Sequence, residues 1–272
     1  MIKILDVQCL IGQEGGLNYP SGLCFDRQEE MLFICDMQNK RVAQYRYYIK
    51  KAEASINLFG DNKHILKRPL AITLSVTKNL YLTDAEQNCI FTYKENQWRE
   101  ISIRGNWNII LPGSIAVDSE DNLYITDFLN DRICRIDFNR NLEELREFKC
   151  RKPYGIFVQN NILYITDTDN NIQWLNLITK DHGLIDLPNI SPIAITVDKD
   201  GDIYFSENRK LYFFNQKHQK LELLLNTERW KQYGFDKLCH IGALVSISRD
   251  RIIFSDTIKN CIYQMTLQKY KE

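Results

Sequence analysis

Apolar and polar positions alternate along most of the chain in short runs separated by Asp- and Asn-rich breaks. In Pro112–Asp137, PGSIAVDSEDNLYITDFLNDRICRID, two alternating runs flank a polar stretch and a third run opens at Arg132. Alternation with period two is the mark of a half-buried strand, and polar clusters between runs read as turns. The stretch predicts three short strands joined by tight connections.

The rest of the chain repeats this pattern. Six runs end in an acid: LFICD at Asp36, LYLTD at Asp84, LYITD at Asp127 and Asp167, IYFSE at Glu207 and IIFSD at Asp256. Their separations are 48, 43, 40, 40 and 49 residues, close to the length of one four-stranded propeller blade. Upstream of each acid stands a second landmark, at Pro20, Pro69, Pro112, Pro153 and Pro192, with Ile241 in the sixth copy. Two residues on, the side chain is small (Gly22, Ala71, Ser114, Gly155, Ala194, Ala243), and the next is aliphatic (Leu23, Ile72, Ile115, Ile156, Ile195, Leu244). Small residues suit strands crowded near an axis, and aliphatic ones suit a face turned to a neighbouring blade. Proline suits the first position of a strand, where no ladder donor is needed.

After each acid comes a turn rich in Asp and Asn and then a third strand. Asp and Asn bond back to nearby backbone and accept left-handed geometry, so the repeat acid is read as a turn residue first. The sixth copy ends without a fourth strand, and Lys3–Ile11 is free to supply it, hiding two open edges. The expected fold is therefore all-β: a six-bladed propeller of four-stranded antiparallel blades in one domain over residues 1–272, its N-terminal strand closing the last blade. The long connection at 226–240 holds Trp230, Tyr233, Phe235 and Leu238, which predicts a turn or two of helix packed on the body, as a lid or a plug.

Composition narrows the function only slightly. The 272 residues are 44% hydrophobic, and 35 Lys+Arg balance 35 Asp+Glu, so no net field draws the whole molecule to nucleic acid or an anionic membrane. No run is long enough to span a membrane. Eight cysteines show neither a CxxC pair nor zinc-ligand spacing; they read as reduced packing residues of a cytoplasmic protein.

The pattern P-x-small-aliphatic-A-V-D, then N-L-Y-I-T-D, then N-x-R-I resembles the NHL repeat over nearly the whole chain, with the YWTD propellers as nearest rival. Here Tyr-Leu-Thr-Asp and Tyr-Ile-Thr-Asp lack the tryptophan, and Asn130-Asp131-Arg132-Ile133 favours NHL. The resemblance implies several functions: RNA or protein binding, zinc- or copper-dependent peptide lyases, metal-dependent lactonases and the strictosidine-synthase group. The lyases carry zinc-binding histidines just after the proline landmark. This chain has Ser21, Leu70, Gly113, Tyr154, Ile193 and Gly242 there, so that zinc site is absent. Its four histidines, His64, His182, His218 and His240, are scattered. The lactonases need oxygen ligands converging on the axis. The blade-turn acids are accounted for by turn chemistry, although Glu207 is long enough to reach inward. No cofactor is predicted, and an axial divalent metal has no support beyond this resemblance.

The residues that differ between copies are the informative ones. Before the landmark stand Tyr19, Arg68, Leu111, Lys152, Ser191 and His240. Arg68, Lys152 and His240 predict an anion-binding rim at one channel mouth, with Lys67 and Arg151 behind it. Tyr19, Phe128, Tyr154 and Trp230 are the candidate walls of an apolar pocket. The leading expectation is a module binding a small molecule or a partner protein through this face. The alternative is a lactonase, lyase or cyclase with Glu207, Tyr154 or His240 moving protons. Basic turn residues (Lys40-Arg41, Arg132, Arg209-Lys210, Lys259) leave RNA as a weaker third reading. The repeat sets no oligomeric state.

Overall fold

The computed structural model describes residues 2–47, 56–59, 65–95, 97–105, 108–169 and 171–270. Six four-stranded antiparallel sheets form the blades. Their inner strands are Pro20–Asp26, Pro69–Leu74, Pro112–Val117, Ile156–Gln159, Ile195–Val197 and Ile241–Ser248. Each inner strand touches those of both neighbours, and the sixth touches the first, which closes the ring. The N-terminal strand, Ile2–Ile11, supplies the outer edge of the sixth blade. It runs antiparallel to Cys261–Lys269, with Ile2 opposite Lys269 and Ile11 opposite Ile262. The two ends of the chain thus share one sheet, and Ile2, Val7 and Ile11 are buried in it.

The repeated side chains explain the ring. The six aliphatic residues after the small position fall one each into six hydrophobic clusters: Leu244, Leu23, Ile72, Ile115, Ile156 and Ile195. Blade packing is therefore the same contact made six times. The small residue is set by crowding. A Cβ on Gly22 would stand 2.7 Å from the Leu70 carbonyl oxygen, and one on Gly155 would stand 2.4 Å from that of Ile193. Both obstacles are backbone of the next blade and cannot step aside.

The hydroxyl before the repeat acid ties blade to blade. Thr83, Thr126, Thr166 and Ser206 each accept from the inner-strand amide of their own blade, at Ala71, Ser114, Gly155 and Ala194. Each donates onward to a carbonyl of the next blade, at Gly113, Tyr154, Ile193 and Ile241. The first blade has Cys35 at this position, and there Ser21 Oγ reaches the Pro69 carbonyl instead (3.2 Å).

The turn acids are buried and hold the loops that enter each blade. Asp36 accepts from the Asn18 amide (2.6 Å) and pairs with Arg41; Asp127 accepts from the Ile110 amide (2.8 Å) and pairs with Arg132. Asp84 takes the Lys67 and Arg68 amides, and Asp256 those of Cys239 and His240. One carboxylate thus fixes both the turn behind it and the rim residue ahead of it.

The long connection forms the helix Thr227–Lys231, capped by Asn226, whose side chain accepts from the Arg229 amide (2.9 Å). Trp230 is 0% exposed. It stacks on Phe235 with centroids 4.7 Å apart and meets the edge of Tyr263 at 4.8 Å, in the cluster between the fifth and sixth blades. The segment is a side buttress, neither lid nor plug. Trp230 is accordingly not a pocket wall, because its indole faces inward against the blades.

Candidate functional site

A funnel of about 500 Å³ follows the axis and is walled by inner-strand residues of all six blades. Its rim at the loop face carries Tyr19, Arg68, Leu111, Phe128, Tyr154, His240 and Thr257, and Arg27, Gln159 and Ser246 lie at the other end. The walls between are mostly aliphatic. Among the described residues, no carboxylate lines it.

Rim geometry follows from the loop backbone. Tyr19, Leu111 and Lys152 have φ of 58°, 56° and 47° although each precedes a proline. That conformation is costly for such residues. It is held by a side chain of the preceding blade: their amides donate to Asn260 (2.8 Å), Asn88 (2.8 Å) and Asp131 (2.7 Å). These three acceptors each lie four residues after a repeat acid. The first blade has Lys40 there, which offers no acceptor, and Arg68 is pinned by Asp84 instead.

Of the expected anion-binding trio, Arg68 and His240 line the funnel. Lys152 is exposed and lies outside the lining, its long stem carrying the ammonium to solvent. Arg68 is also exposed, at the rim, where the lining offers its guanidinium no acid. Phe128 and Tyr154 meet edge to face at 5.0 Å, and Tyr154 keeps 40% of its surface open. Tyr19 completes the aromatic side of the rim.

His240 is the one histidine among the described lining residues. Its Nδ1 stands 2.9 Å from Thr257 Oγ1, and its backbone is fixed on both sides: its amide bonds Asp256 (3.2 Å) and its carbonyl accepts from the Thr257 amide (3.0 Å). Burial pushes its pKa below the ordinary histidine value, against a smaller opposing pull from Asp256. Burial therefore favours the neutral imidazole over the charged one. With Nδ1–H donating to Thr257, Nε2 is a free base; in the other tautomer Nε2–H is an acid. His182 is exposed at the start of the outer strand His182–Asp186, His218 is exposed on an outer turn, and His64 lies outside the described residues.

Glu207 does not reach the funnel. It accepts from the Ser191 amide (3.2 Å) and the Tyr212 hydroxyl (3.2 Å) and pairs with Lys210 at 3.0 Å. Burial raises its pKa, but Lys210 and the Ser191 amide outweigh that and leave it below the usual carboxylate value. It does the work of the repeat Asp with a longer arm. The basic turn residues are also engaged: Arg41 and Arg132 pair with their own blade acids, and Arg209 donates to the Cys239 carbonyl (3.3 Å).

A hard divalent cation needs several oxygen ligands, usually with carboxylates among them, and the funnel's donor set does not fit one. Asp198, Asp200 and Asp202 do cluster, but they sit on the fifth blade and surround Lys269 Nζ, at 2.7 Å from Asp202 and 3.5 Å from Asp200. The Lys269 ammonium already fills the space between them, and Arg249 pairs with Asp200 at 2.6 Å.

No protein-family description matches the chain, and no curated protein does either. Solved structures do. A gluconolactonase from Xanthomonas campestris superposes with a TM-score of 0.76 at 13% identity, over 96% of this chain and 89% of that one. A catalytically inactive His-to-Ala variant of virginiamycin B lyase from Staphylococcus aureus, in complex with quinupristin, gives 0.68 at 14%, over 98% and 99%. A chain of a nidogen/laminin complex gives 0.66 at 17%, over 77% and 81%. At these identities the likeness is one of fold. The class defined is a six-bladed β-propeller with a largely apolar axial funnel.

Proposed function

We propose that the chain is a funnel enzyme of the lyase or lactonase kind, acting by acid–base chemistry on a small, largely apolar molecule that carries an anionic or carbonyl group. The observation that carries this reading is the His240–Thr257 pair: a neutral, backbone-pinned imidazole on the rim of an acid-free apolar funnel. A base with a pKa below neutrality is mostly deprotonated at working pH and ready to accept a proton. Arg68, on the same rim, supplies positive charge where an enolate or alkoxide would develop. Phe128 and Tyr154 offer a flat surface for the body of the substrate. The inactive lyase variant named above lost its activity with a histidine, which is said of that protein and lends this reading support by analogy of fold. The repeat residues fit an NHL-like propeller, and the free cysteines suit a reducing, intracellular setting.

Simple ligands test the binding half. Octanoate and octylamine present the same apolar chain with opposite charge. Calorimetry is expected to show octanoate binding that weakens about tenfold in Arg68→Ala, the effect of about 1.4 kcal/mol from one charged contact. Equal binding of the amine, or binding unaffected at Arg68, contradicts the proposal.

A further inference from the structure

Two thiols meet where the ring is closed. Cys9 lies on the N-terminal strand opposite Tyr263, and Cys261, two residues before Tyr263, lies on the C-terminal strand opposite Asp256. Cys9 and Cys261 therefore occupy the same face of the sixth blade, the face that carries Val7, Tyr263 and Met265 into the cluster with Trp230. Diagonal neighbours on a sheet face are within reach of one another. Here the register slips between Cys9 and Ile11, a bulge that adds local twist. The Cys261 thiol donates to the Lys259 carbonyl (3.2 Å). Cys9 is exposed to solvent and Cys261 is buried beneath it.

We propose that Cys9 and Cys261 are an oxidative modification site, at which a peroxide links them in a reversible disulfide that fastens the N-terminal strand to the C-terminal one. The other groups facing the pair support this. The neighbouring Cys9 thiol lowers Cys261 most, the Tyr263 hydroxyl and Lys259 help, and burial and Asp256 oppose; the result is about 7. Cys9 is moved the other way, first by Cys261 and burial, with Glu14 adding to both. The pair thus releases one proton near neutrality and holds the second tightly. By contrast, burial pushes Cys89, Cys134 and Cys150 up to about 12, and Cys24 and Cys35 are raised as well. Thiolate character selects the site of oxidation.

The reaction balances with peroxide as oxidant. Cys9 gives its proton to the neighbouring Cys261 thiolate and its sulfur attacks one peroxide oxygen; the O–O bond breaks, and the departing hydroxide takes that proton from Cys261 and leaves as water. The Cys261 thiolate then attacks the Cys9 sulfenic sulfur. The S–S bond forms, the S–O bond breaks, and the departing hydroxide takes a proton from solvent and leaves as a second water. Two thiols are oxidised by two electrons and one peroxide is reduced.

Peptide mapping of the full chain after brief hydrogen peroxide treatment is the test. The expected product is a peptide pair joined through Cys9 and Cys261, formed within one chain and released by dithiothreitol. Oxidised wild type should unfold at a higher temperature than reduced wild type, and Cys9→Ser, altered at an exposed position, should show neither linkage nor shift. A map in which these two cysteines stay reduced, pair elsewhere or link two chains overturns the proposal. The wild-type map decides this even where Cys261→Ser fails to fold.

Discussion

Thr166 of the fourth blade joins it to the fifth: its hydroxyl accepts from the Gly155 amide at 2.8 Å and donates to the Ile193 carbonyl at 2.7 Å. Both Thr166 and Gly155 are buried. Thr166→Val keeps the shape and strips both bonds, leaving a buried donor without its partner. A loss of about 1–3 kcal/mol in urea unfolding is expected, with Thr166→Ser close to wild type. An unchanged Thr166→Val would show that the hydroxyl link carries no stability.

Closure by the N-terminal strand predicts a larger effect. Removing residues 1–11 exposes the edge of Cys261–Lys269 and uncovers the cores around Val7 and Ile11. Burying each such aliphatic side chain is worth about 1.5–3 kcal/mol, so the truncated chain should melt far below the intact one and tend to associate through the open edge. Unaltered thermal unfolding would contradict the closure.

Lys269 should matter more at neutral than at acid pH. Asp198 is buried, and burial raises its pKa despite Lys269, so its contribution to stability is full below its unfolded value and lost as pH rises through the folded one. Lys269→Met removes the opposing charge and leaves buried carboxylates unpaired, a cost of about 3–5 kcal/mol at pH 7. That cost should shrink as the pH falls and the acids take up protons. Asp26 has the opposite sign: burial raises it, but Lys78 and the amides of Gln28 and Glu29 hold it below the ordinary value. Its contribution is present above the unfolded pKa and is lost as pH falls through the folded one. Urea midpoints across pH 3–7 for Lys269→Met and Lys78→Met separate the two.

The fold was legible because its contacts repeat. Six small residues, six aliphatic ones and six acids at matched spacing leave few architectures, and the missing fourth strand of the last copy pointed to Lys3–Ile11. The inter-blade hydroxyls were visible too, as the Thr or Ser before the acid in five copies and Cys35 in the other, but comparison of sequences alone gives them no partner. Individual side chains at the rim were less legible. Lys152 and Arg68 occupy the same repeat position, yet only Arg68 lines the funnel; Tyr19 and Leu111 share the left-handed backbone of Lys152 and still line it, so the difference is the long Lys152 stem that carries its ammonium to solvent. Trp230 read equally well as a pocket wall or a core residue, and three-dimensional contacts with Phe235 and Tyr263 decide for the core. Glu207 read as an inward acid until Lys210 and Tyr212 were seen to hold it. Cys9 gave no signal, since its partner lies at the far end of the chain.

The pH profile of any funnel reaction follows from His240. Its pKa is held below the ordinary value by burial, so rate should be level through neutrality and fall as acid protonates the imidazole. Thr257→Val removes the bond to Nδ1 and frees the ring to rotate. It should lower kcat more than it raises KM, and an unchanged kcat would remove Thr257 from the chemistry.

Turnover is the most direct measurement. Two small apolar lactones, δ-decalactone and γ-nonalactone, offered in buffer containing EDTA, are expected to include at least one that the wild-type chain opens, with a loss of about 10²–10⁴ in His240→Ala and no effect of the chelator. Turnover that survives His240→Ala, or that EDTA abolishes and a divalent metal restores, would contradict an acid–base site built on His240. So would the absence of any turnover in a folded protein whose funnel binds neither probe.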